Sequence, residues 1–328
     1  MGKGTRSCQR WFLVLLLFFL FPTTLGNPIL PSSLYGDDGG RLVELPPNIN
    51  KLYTTTEAGC FVAYALEPNS IIGWNRGLSP ELGFAIEPQF HALPTLGTWD
   101  ETFQTIQIDR VLEQKPDLVV HYAAIDAANI ALADQIQETL GIPTILVDNR
   151  LQALPEALRL LGQLFEKDVR GQALAAFVEN HLGQAASFQR LQLGYAPIPV
   201  HIVSSQGPGR FDELLDLANM VEIPTWDNRP PLPDYVLIMP HSVADPYRAI
   251  EMDGHKRIYQ IPAFPLNWLE PGSIFCLLGL EWLHAIAYPN AYNGDLSETY
   301  KAFMEVFFQV NVTPELLDWT LRRSGISY

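Results

Sequence analysis

Positive charge is scarce in this chain of 328 residues. Lys and Arg together number 21, against 36 acidic residues, and the formal net charge is −15 at pH 7. Lys3, Arg6 and Arg10 all lie within the first 26 residues, so the rest of the chain is more acidic still. A surface of this charge repels phosphate backbones and anionic membranes. We therefore expect no nucleic-acid partner.

Cysteine is also rare. Beyond residue 26 there are only Cys60 and Cys276, far apart in the chain and each in an apolar setting. Two separate buried thiols or one disulfide would both fit this arrangement. The chain has no CxxC or HExxH motif, and its seven histidines are scattered. The sequence thus predicts no metal site, no haem attachment and no resident cofactor.

Long apolar runs are absent as well. Residues 11–22 form a short apolar run after a basic start, followed by Thr24, Leu25 and Gly26, a pattern typical of a secretory signal cleaved before Asn27. A retained anchor is the alternative. The other run, Ile274–Tyr288, is interrupted by Glu281 and His284 and is too short to span a bilayer. We interpret it as a buried helix, capped by Ser273 and ended by Pro289, and expect a mature protein that does not span the membrane.

Strands and helices alternate through the first half. With 48% hydrophobic residues the chain can bury a large core. We predict a helical segment from 49 to 66 and helices at 108–114 and 129–141. The predicted strands are 41–45, 70–74, 116–122 and 142–148. Such alternation indicates a parallel sheet covered by helices on both faces.

A long helical stretch interrupts this alternation. From Leu154 to Ala186 apolar residues recur at helical spacing, and no strand pattern occurs. One long helix, or two helices end to end, would extend about 45 Å. Because the stretch is not rich in Gly and Ser, it is expected to be a stiff connection between two α/β halves.

The second half resumes the alternation less regularly. We predict strands at 198–205, 234–240 and 257–264, a helix at 210–221, and two terminal helices within 296–325. The predicted fold is therefore α/β, with two Rossmann-like lobes around parallel sheets and a long rigid helix between them.

Several stretches, in order, resemble one protein family. They include "RLVELPPNINKLYTTTEAG", "IDRVLEQKPDLVV", "LGIPTILVD" and "NWLEPGSIFCLLGLEWLHAIAYP". They are similar to the periplasmic substrate-binding proteins of ABC importers for iron–siderophore, haem and vitamin B12, over roughly residues 41–190 and 257–310. The resemblance implies a signal peptide (1–26), a leader (27–40), an N-terminal lobe (41–150), a connecting helix (151–190) and a C-terminal lobe (191–328).

The resemblance also implies a function. It points to a monomeric periplasmic protein without catalytic residues, which delivers a metal chelate, a ferric siderophore first of all, to an ABC importer permease. Cobalamin, haem, molybdate and tungstate are the alternative cargoes. The family docks on its permease through one acidic residue per lobe, and Asp109 and Asp227 stand nearest to those positions. The C-terminal lobe is shorter than usual at 217–238, which puts the second docking position in doubt.

Candidate ligand-binding residues follow from the topology of the sheets. Ligands of open α/β sheets lie beyond the carboxyl ends of the strands. Aromatic, hydroxyl and weakly basic side chains occur there, and they suit a bulky, negatively charged chelate. The candidates are Trp74, Arg76, His121, Tyr122, Ser205, His241 and Trp268.

Each candidate also has a plainer interpretation. Trp74 and Trp268 could fill the interior, and Arg76 could be a solvated loop charge. The histidines could be satisfied by loop contacts, Ser205 could be a turn residue, and Asp109 could simply be a polar residue on a helix surface. Two other functions stay open, an enzyme on the same fold and an exported scaffold. Against an enzyme, the chain has no nucleophile elbow, Walker loop or dinucleotide fingerprint, and "SSQGPGRF" carries only part of a phosphate-binding pattern.

Overall fold

The computed structural model contains two parallel sheets, each packed against helices. It describes residues 34–79, 82–100, 104–192, 194–203, 211–223, 233–239, 257–322 and 324–325. The strands are β1 (Leu34–Gly36), β2 (Leu42–Glu44), β3 (Leu52–Thr54), β4 (Leu118–Ala123), β5 (Thr144–Asp148), β6 (Ile198–Val203), β7 (Met220–Glu222), β8 (Tyr235–Ile238) and β9 (Arg257–Gln260). The helices are α1 (Glu57–Leu66), α2 (Ile108–Gln114), α3 (Ala127–Leu140), α4 (Leu154–Leu164), α5 (Asp168–Leu191), α6 (Asp212–Leu217), α7 (Cys276–Ala287), α8 (Leu296–Phe308) and α9 (Pro314–Leu321).

The first sheet has the strand order β3-β4-β5, and all its pairs are parallel. Its strands are buried along their whole length, as expected of a sheet covered on both faces. The strand predicted at 41–45 is present as β2. It pairs antiparallel with β1 in a separate hairpin and does not belong to the parallel sheet. The predicted α/β class with parallel sheets is confirmed.

Two predictions in this region were wrong. The segment predicted as helical from residue 49 begins with strand β3, and the helix starts only at Glu57, where the Thr56 side chain accepts from Gly59 N. The β-branched threonines at 54–56 favour extended backbone and an N-cap over a helix interior. Residues 70–74 are not a strand. They form only isolated bridges, of Ile71 with Leu52 in β3 and of Trp74 with Thr95, and Trp74 N donates to the Pro94 carbonyl at 2.9 Å.

The connecting stretch consists of two helices that lie side by side. After α4 the chain turns at Glu166, which has a positive φ of 57°, and α5 returns along α4. Arg159 Nη2 bonds to Glu179 Oε1 at 2.6 Å, and a Cβ placed on Gly171 would stand 2.7 Å from the Leu158 carbonyl oxygen. The end-to-end arrangement was therefore wrong, and the long single element is α5 alone.

The second half of α5 contacts helix α6 and the end of helix α7. Gln189 Nε2 donates to the Asp216 carbonyl at 3.0 Å, and the Phe188 and Tyr288 rings are 5.4 Å apart. Helix α5, of 24 residues, thus packs against α4 at its beginning and against the later helices at its end.

The second sheet has the order β7-β6-β8-β9, again all parallel. Strands β6, β8 and β9 lie within the predicted ranges. Strand β7 was missed, because residues 210–221 were predicted as one helix, whereas α6 ends at Leu217 and Met220 already pairs with Ile198. Asn219, with a positive φ of 52°, makes the turn between them.

Helix α7 is the buried helix predicted from the apolar run. Eleven of its twelve residues are buried, and Tyr288 ends it just before Pro289. The predicted cap was wrong: the N-cap residue is Phe275, without a side-chain cap bond, and the Ser273 hydroxyl accepts from Phe275 N at 3.1 Å ahead of the helix. No helix in the described part of the chain combines the length and apolar character of a membrane span. Residues 11–22 lie outside that part.

Candidate functional site

A cavity of about 610 Å³ opens at the carboxyl ends of β3, β4 and β5. One wall comes from the first sheet and the loop at 95–107, and the other from the segment that precedes α7. Of its sixteen described lining residues, seven carry a hydroxyl or amide group, four are charged and five are apolar. The lining residues are Thr56, Glu57, Ala58, Asn75, Arg76, Thr98, Asp100, Thr105, Tyr122, Ala123, Ala124, Asn129, Asn149, Leu266, Glu270 and Pro271.

An ion pair stands at one side of the cavity. Arg76 Nε donates to Glu57 Oε1 at 2.7 Å, and Arg76 Nη2 also contacts that carboxylate. Burial raises the pKa of Glu57, Arg76 opposes this shift, and Glu270 across the cavity adds to it. Because Glu57 accompanies it, Arg76 does not present an unbalanced positive charge to a ligand.

Asn75 is held rigidly in the cavity wall. Its Nδ2 donates to the Thr54 carbonyl at 2.8 Å and to the Gly97 carbonyl at 3.0 Å. Both amide hydrogens are thus used by the protein. Its Oδ1 accepts from the Thr54 hydroxyl at 3.5 Å, so Asn75 has no amide hydrogen left for a ligand and only acceptor capacity remains.

Asn149 joins the two walls. It follows β5 directly, and its amide packs on Gly272, whose φ of +75° favours glycine. A Cβ at Gly272 would stand 2.9 Å from Asn149 Cγ. The close approach of these two segments therefore depends on glycine at position 272.

His121 lies behind the wall, fully buried. Thr55 Oγ1 is 2.8 Å from its Nδ1, and Asn129 Oδ1 is 2.9 Å from its Nε2. Burial lowers the pKa of His121, which keeps the ring neutral at physiological pH. His121 is not among the lining residues, and it reaches the cavity only through Asn129.

The two candidate tryptophans lie in the core. Trp74 is 3% exposed and donates from Nε1 to the Phe90 carbonyl at 2.9 Å. Trp268 is fully buried, donates to the Phe264 carbonyl at 3.0 Å, and packs against Tyr300. Neither lines the cavity. Of the predicted ligand-binding residues that the structure describes, it brings together Arg76 and Tyr122, and the Tyr122 side chain is itself 1% exposed.

The remaining predicted residues divide into two groups. Ser205, His241 and Asp227 lie outside the described residues. Asp109 is exposed in the first turn of α2, where its carboxylate also interacts favourably with the positive end of the helix dipole.

Sequence reasoning missed most of the lining. Asn149 could have been found, since it directly follows a correctly predicted strand. Thr56 and Glu57 were lost because β3 was read as part of a helix. Thr98 and Thr105 come from an irregular loop that carries no periodic pattern, and nothing local indicates that it folds over the sheet.

A second cavity, of about 670 Å³, lies elsewhere. It is lined by β2, the residues after it and the segment that enters β5, including Pro46, Pro47 and Pro143. This is the amino end of β5, the opposite end from the one where ligands of such sheets bind. Within the described residues, no group of three His, Cys, Asp or Glu side chains could hold a metal ion.

Comparison with known proteins identifies the fold. No protein-family model matches the sequence, and no curated protein matches it. Solved structures do: the chain has the two-lobe α/β fold of periplasmic solute-binding proteins. An ABC transporter solute-binding protein from Sulfurospirillum deleyianum superposes with a TM-score of 0.75 at 21% identity, covering 89% of this chain and 99% of that one.

Two further structures with this fold differ in what they bind. The molybdate-bound periplasmic protein of a Haemophilus influenzae ABC transporter gives a TM-score of 0.64 at 16% identity, over 85% of this chain and 99% of that one. The vitamin B12-binding protein of Vibrio cholerae gives 0.53 at 17% identity, over 75% and 99%. At these identities the likeness establishes the fold.

Proposed function

We propose that the chain is an extracytoplasmic substrate-binding protein that delivers a small molecule to an ABC importer. The observation that carries this proposal is the cavity at the carboxyl ends of the first sheet, closed on its other side by the segment before α7. The fold adds support, since the solved proteins that share it are described as solute-binding proteins of ABC transporters. On this proposal the protein is a monomer that binds without catalysis.

The proposal includes the processing and layout of the chain. Residues 1–26 direct export to the periplasm and are removed, 41–150 form the first lobe, 191–328 form the second, and 151–190 connect them. Export is supported by the short apolar run at 11–22 after a basic start.

The cargo we propose is a metal chelate, foremost a ferric siderophore. A cavity of about 610 Å³ falls in the range of sites for drug-sized molecules. Its hydroxyl and amide lining suits an oxygen-rich ligand that needs many hydrogen bonds. The alternative cargoes are cobalamin, haem and a bare oxyanion such as molybdate or tungstate. The oxyanion is included because a molybdate-bound protein shares the fold.

A panel of ligands tests this function. Purified protein lacking residues 1–26 is mixed with a ferric trihydroxamate, a ferric tricatecholate, haem, cyanocobalamin, molybdate and tungstate, and thermal unfolding is recorded. Binding to the folded state at 100 times Kd adds about 2.7 kcal/mol, enough for a Tm rise of several degrees. The iron-free chelators are the matched controls. Absence of a shift with every member would contradict the proposal.

A further inference from the structure

Buried hydrogen bonds run behind the cavity wall from Thr55 through His121 to Asn129. A further bond joins Asn129 to Asp126, which is exposed at the start of α3. Asn129 is 5% exposed and lines the cavity, so it is the member of this series that a ligand can reach. The orientation of its amide decides what that ligand meets.

Asp126 fixes this orientation. Its side chain caps α3 by accepting from the backbone N–H of Asn129 at 2.8 Å. Its second oxygen is 3.2 Å from the side-chain Nδ2 of Asn129. A carboxylate only accepts hydrogen bonds, so the NH₂ group of Asn129 must face Asp126 and its Oδ1 must face His121.

The histidine tautomer follows from the same logic. Since Asn129 Oδ1 is an acceptor, His121 Nε2 must carry a proton and donate to it. The buried ring is neutral, so Nδ1 is an acceptor and the Thr55 hydroxyl donates to it. Every polar atom of His121 is then satisfied inside the protein, and the ring locks the Asn129 amide in one orientation.

We propose that Asn129 donates its remaining amide N–H to an oxygen atom of the cargo, and that His121 is the positioning residue that holds the amide in place. This inference rests on the proposed function. It also gives the two cavity amides different roles. Asn129 is a donor to the ligand, whereas Asn75 uses both of its amide hydrogens within the protein and can act only as an acceptor. The ligand class is thus one with an acceptor oxygen, a hydroxamate, carboxylate or carbonyl, at the Asn129 wall.

Removal of the donor is the first test. Kd for a ferric trihydroxamate is measured by fluorescence quenching for the wild type, Asn129→Ala and Asn69→Ala. Loss of one buried hydrogen bond predicts about tenfold weaker binding for Asn129→Ala. Asn69 is exposed and remote from the cavity, so Asn69→Ala is expected to bind as the wild type does. Equal Kd values for all three would overturn the proposal.

A pair of histidine variants tests the positioning role. In His121→Gln the side-chain amide nitrogen takes the place of Nε2 and can still donate to Asn129, whereas His121→Leu cannot. We expect His121→Leu to bind as weakly as Asn129→Ala, and His121→Gln to recover most of the affinity. In the double variant His121→Leu/Asn129→Ala the two losses should not add, because both act through one amide. Equal weakening by Leu and Gln would mean that His121 is merely structural.

A measurement without ligand distinguishes failure of the proposed cargo from failure of the proposed Asn129 orientation. Nitrogen-15 spectra of histidine-labelled protein report the tautomer of each ring, and the His121→Gln variant assigns the His121 signals. Protonated Nε2 with unprotonated Nδ1 is the expected result, and the opposite tautomer or a charged ring at neutral pH would overturn the inference. If the wild type binds none of the chelates, the proposed cargo fails while the tautomer still decides the orientation of Asn129.

Discussion

Glu57 shows how a single residue can combine two demands. Glu57 is the first residue of α1, where its carboxylate interacts favourably with the positive end of the helix dipole. As part of the cavity wall it is largely removed from water, and burial raises its pKa in spite of the Arg76 partner. Ionisation of Glu57 beside Arg76 therefore lowers the free energy of unfolding.

This balance predicts a pH dependence for Glu57→Gln. A raised folded-state pKa means that Glu57 contributes most to stability below its ordinary value of 4.5, and that this contribution is lost as pH rises through the folded pKa. Gln resembles the protonated form at every pH. The free energy of unfolding of Glu57→Gln should therefore gain on that of the wild type as pH rises from about 4 to about 7.

Urea unfolding at several pH values measures this difference. Glu305→Gln, an exposed position on α8, is the matched control for loss of one carboxylate. A difference between Glu57→Gln and the wild type that stays constant, or shrinks with pH, would contradict the assignment.

At the scale of residues, the sequence predicted the position of the cavity at one edge of the sheet better than it predicted which side chains line it. Arg76 and Tyr122 were selected by the rule that ligands lie beyond strand ends and they line the cavity, although the strand predicted before Arg76 is absent. Trp74 and Trp268 were selected by the same rule but lie in the core, where backbone carbonyls accept their indole N–H groups. Sequence position alone does not distinguish these cases, because the direction of a side chain after a strand depends on tertiary packing.

At the scale of elements, we expect Ala substitutions at two glycines of α5 to change the free energy of unfolding in opposite directions. Gly171 crosses α4, and a Cβ there would stand 2.7 Å from the backbone oxygen of Leu158. Gly183 lies on the same helix with open space around it. Gly171→Ala should lower the free energy of unfolding by about 1–3 kcal/mol through overpacking. Gly183→Ala should raise it by up to about 1 kcal/mol through helix propensity.

Chemical unfolding of the two variants beside the wild type provides the measurement. Each variant is the other's control, because the substitution and the helix are the same. If both glycines tolerate Ala equally, α4 and α5 do not pack as closely as the structure has them.

The elements predicted best are those whose signals are local. Helix α3 was predicted at 129–141 and ends, as expected, at Gly141 with a φ of 67°. It begins two residues earlier than predicted, after the N-cap Asp126. Strand β7 and the return of α5 along α4 were missed. The first is a three-residue strand after a helix, and the second depends on contact between Gly162 and Gly171, which helical spacing does not reveal.

At the scale of the whole molecule, α5 contacts α4, which packs beside the first sheet, and α6, which packs beside the second. Its first turns pack on α4, where Arg170 also bonds to the carbonyls of Ala65 and Phe307. Its later turns place His181 3.3 Å from Glu281 of α7. Contacts along the length of one helix limit how far the lobes can swing. We therefore expect ligand exchange to involve small lobe movements. On the proposed function, an importer would then recognise surface residues outside the cavity.

On the proposed function, we propose that the exposed carboxylate of Asp109 docks the protein on its permease. Asp109 is exposed on α2 and does not line the cavity, so Asp109→Arg should leave Kd for the cargo unchanged. Reversal of its charge should strongly reduce uptake of the radiolabelled chelate in cells where the variant replaces the wild type, because like charges across an interface oppose docking. Glu305→Arg is the charge-matched control, for which uptake should persist. Normal uptake with Asp109→Arg would remove Asp109 from permease docking and leave the binding site untouched.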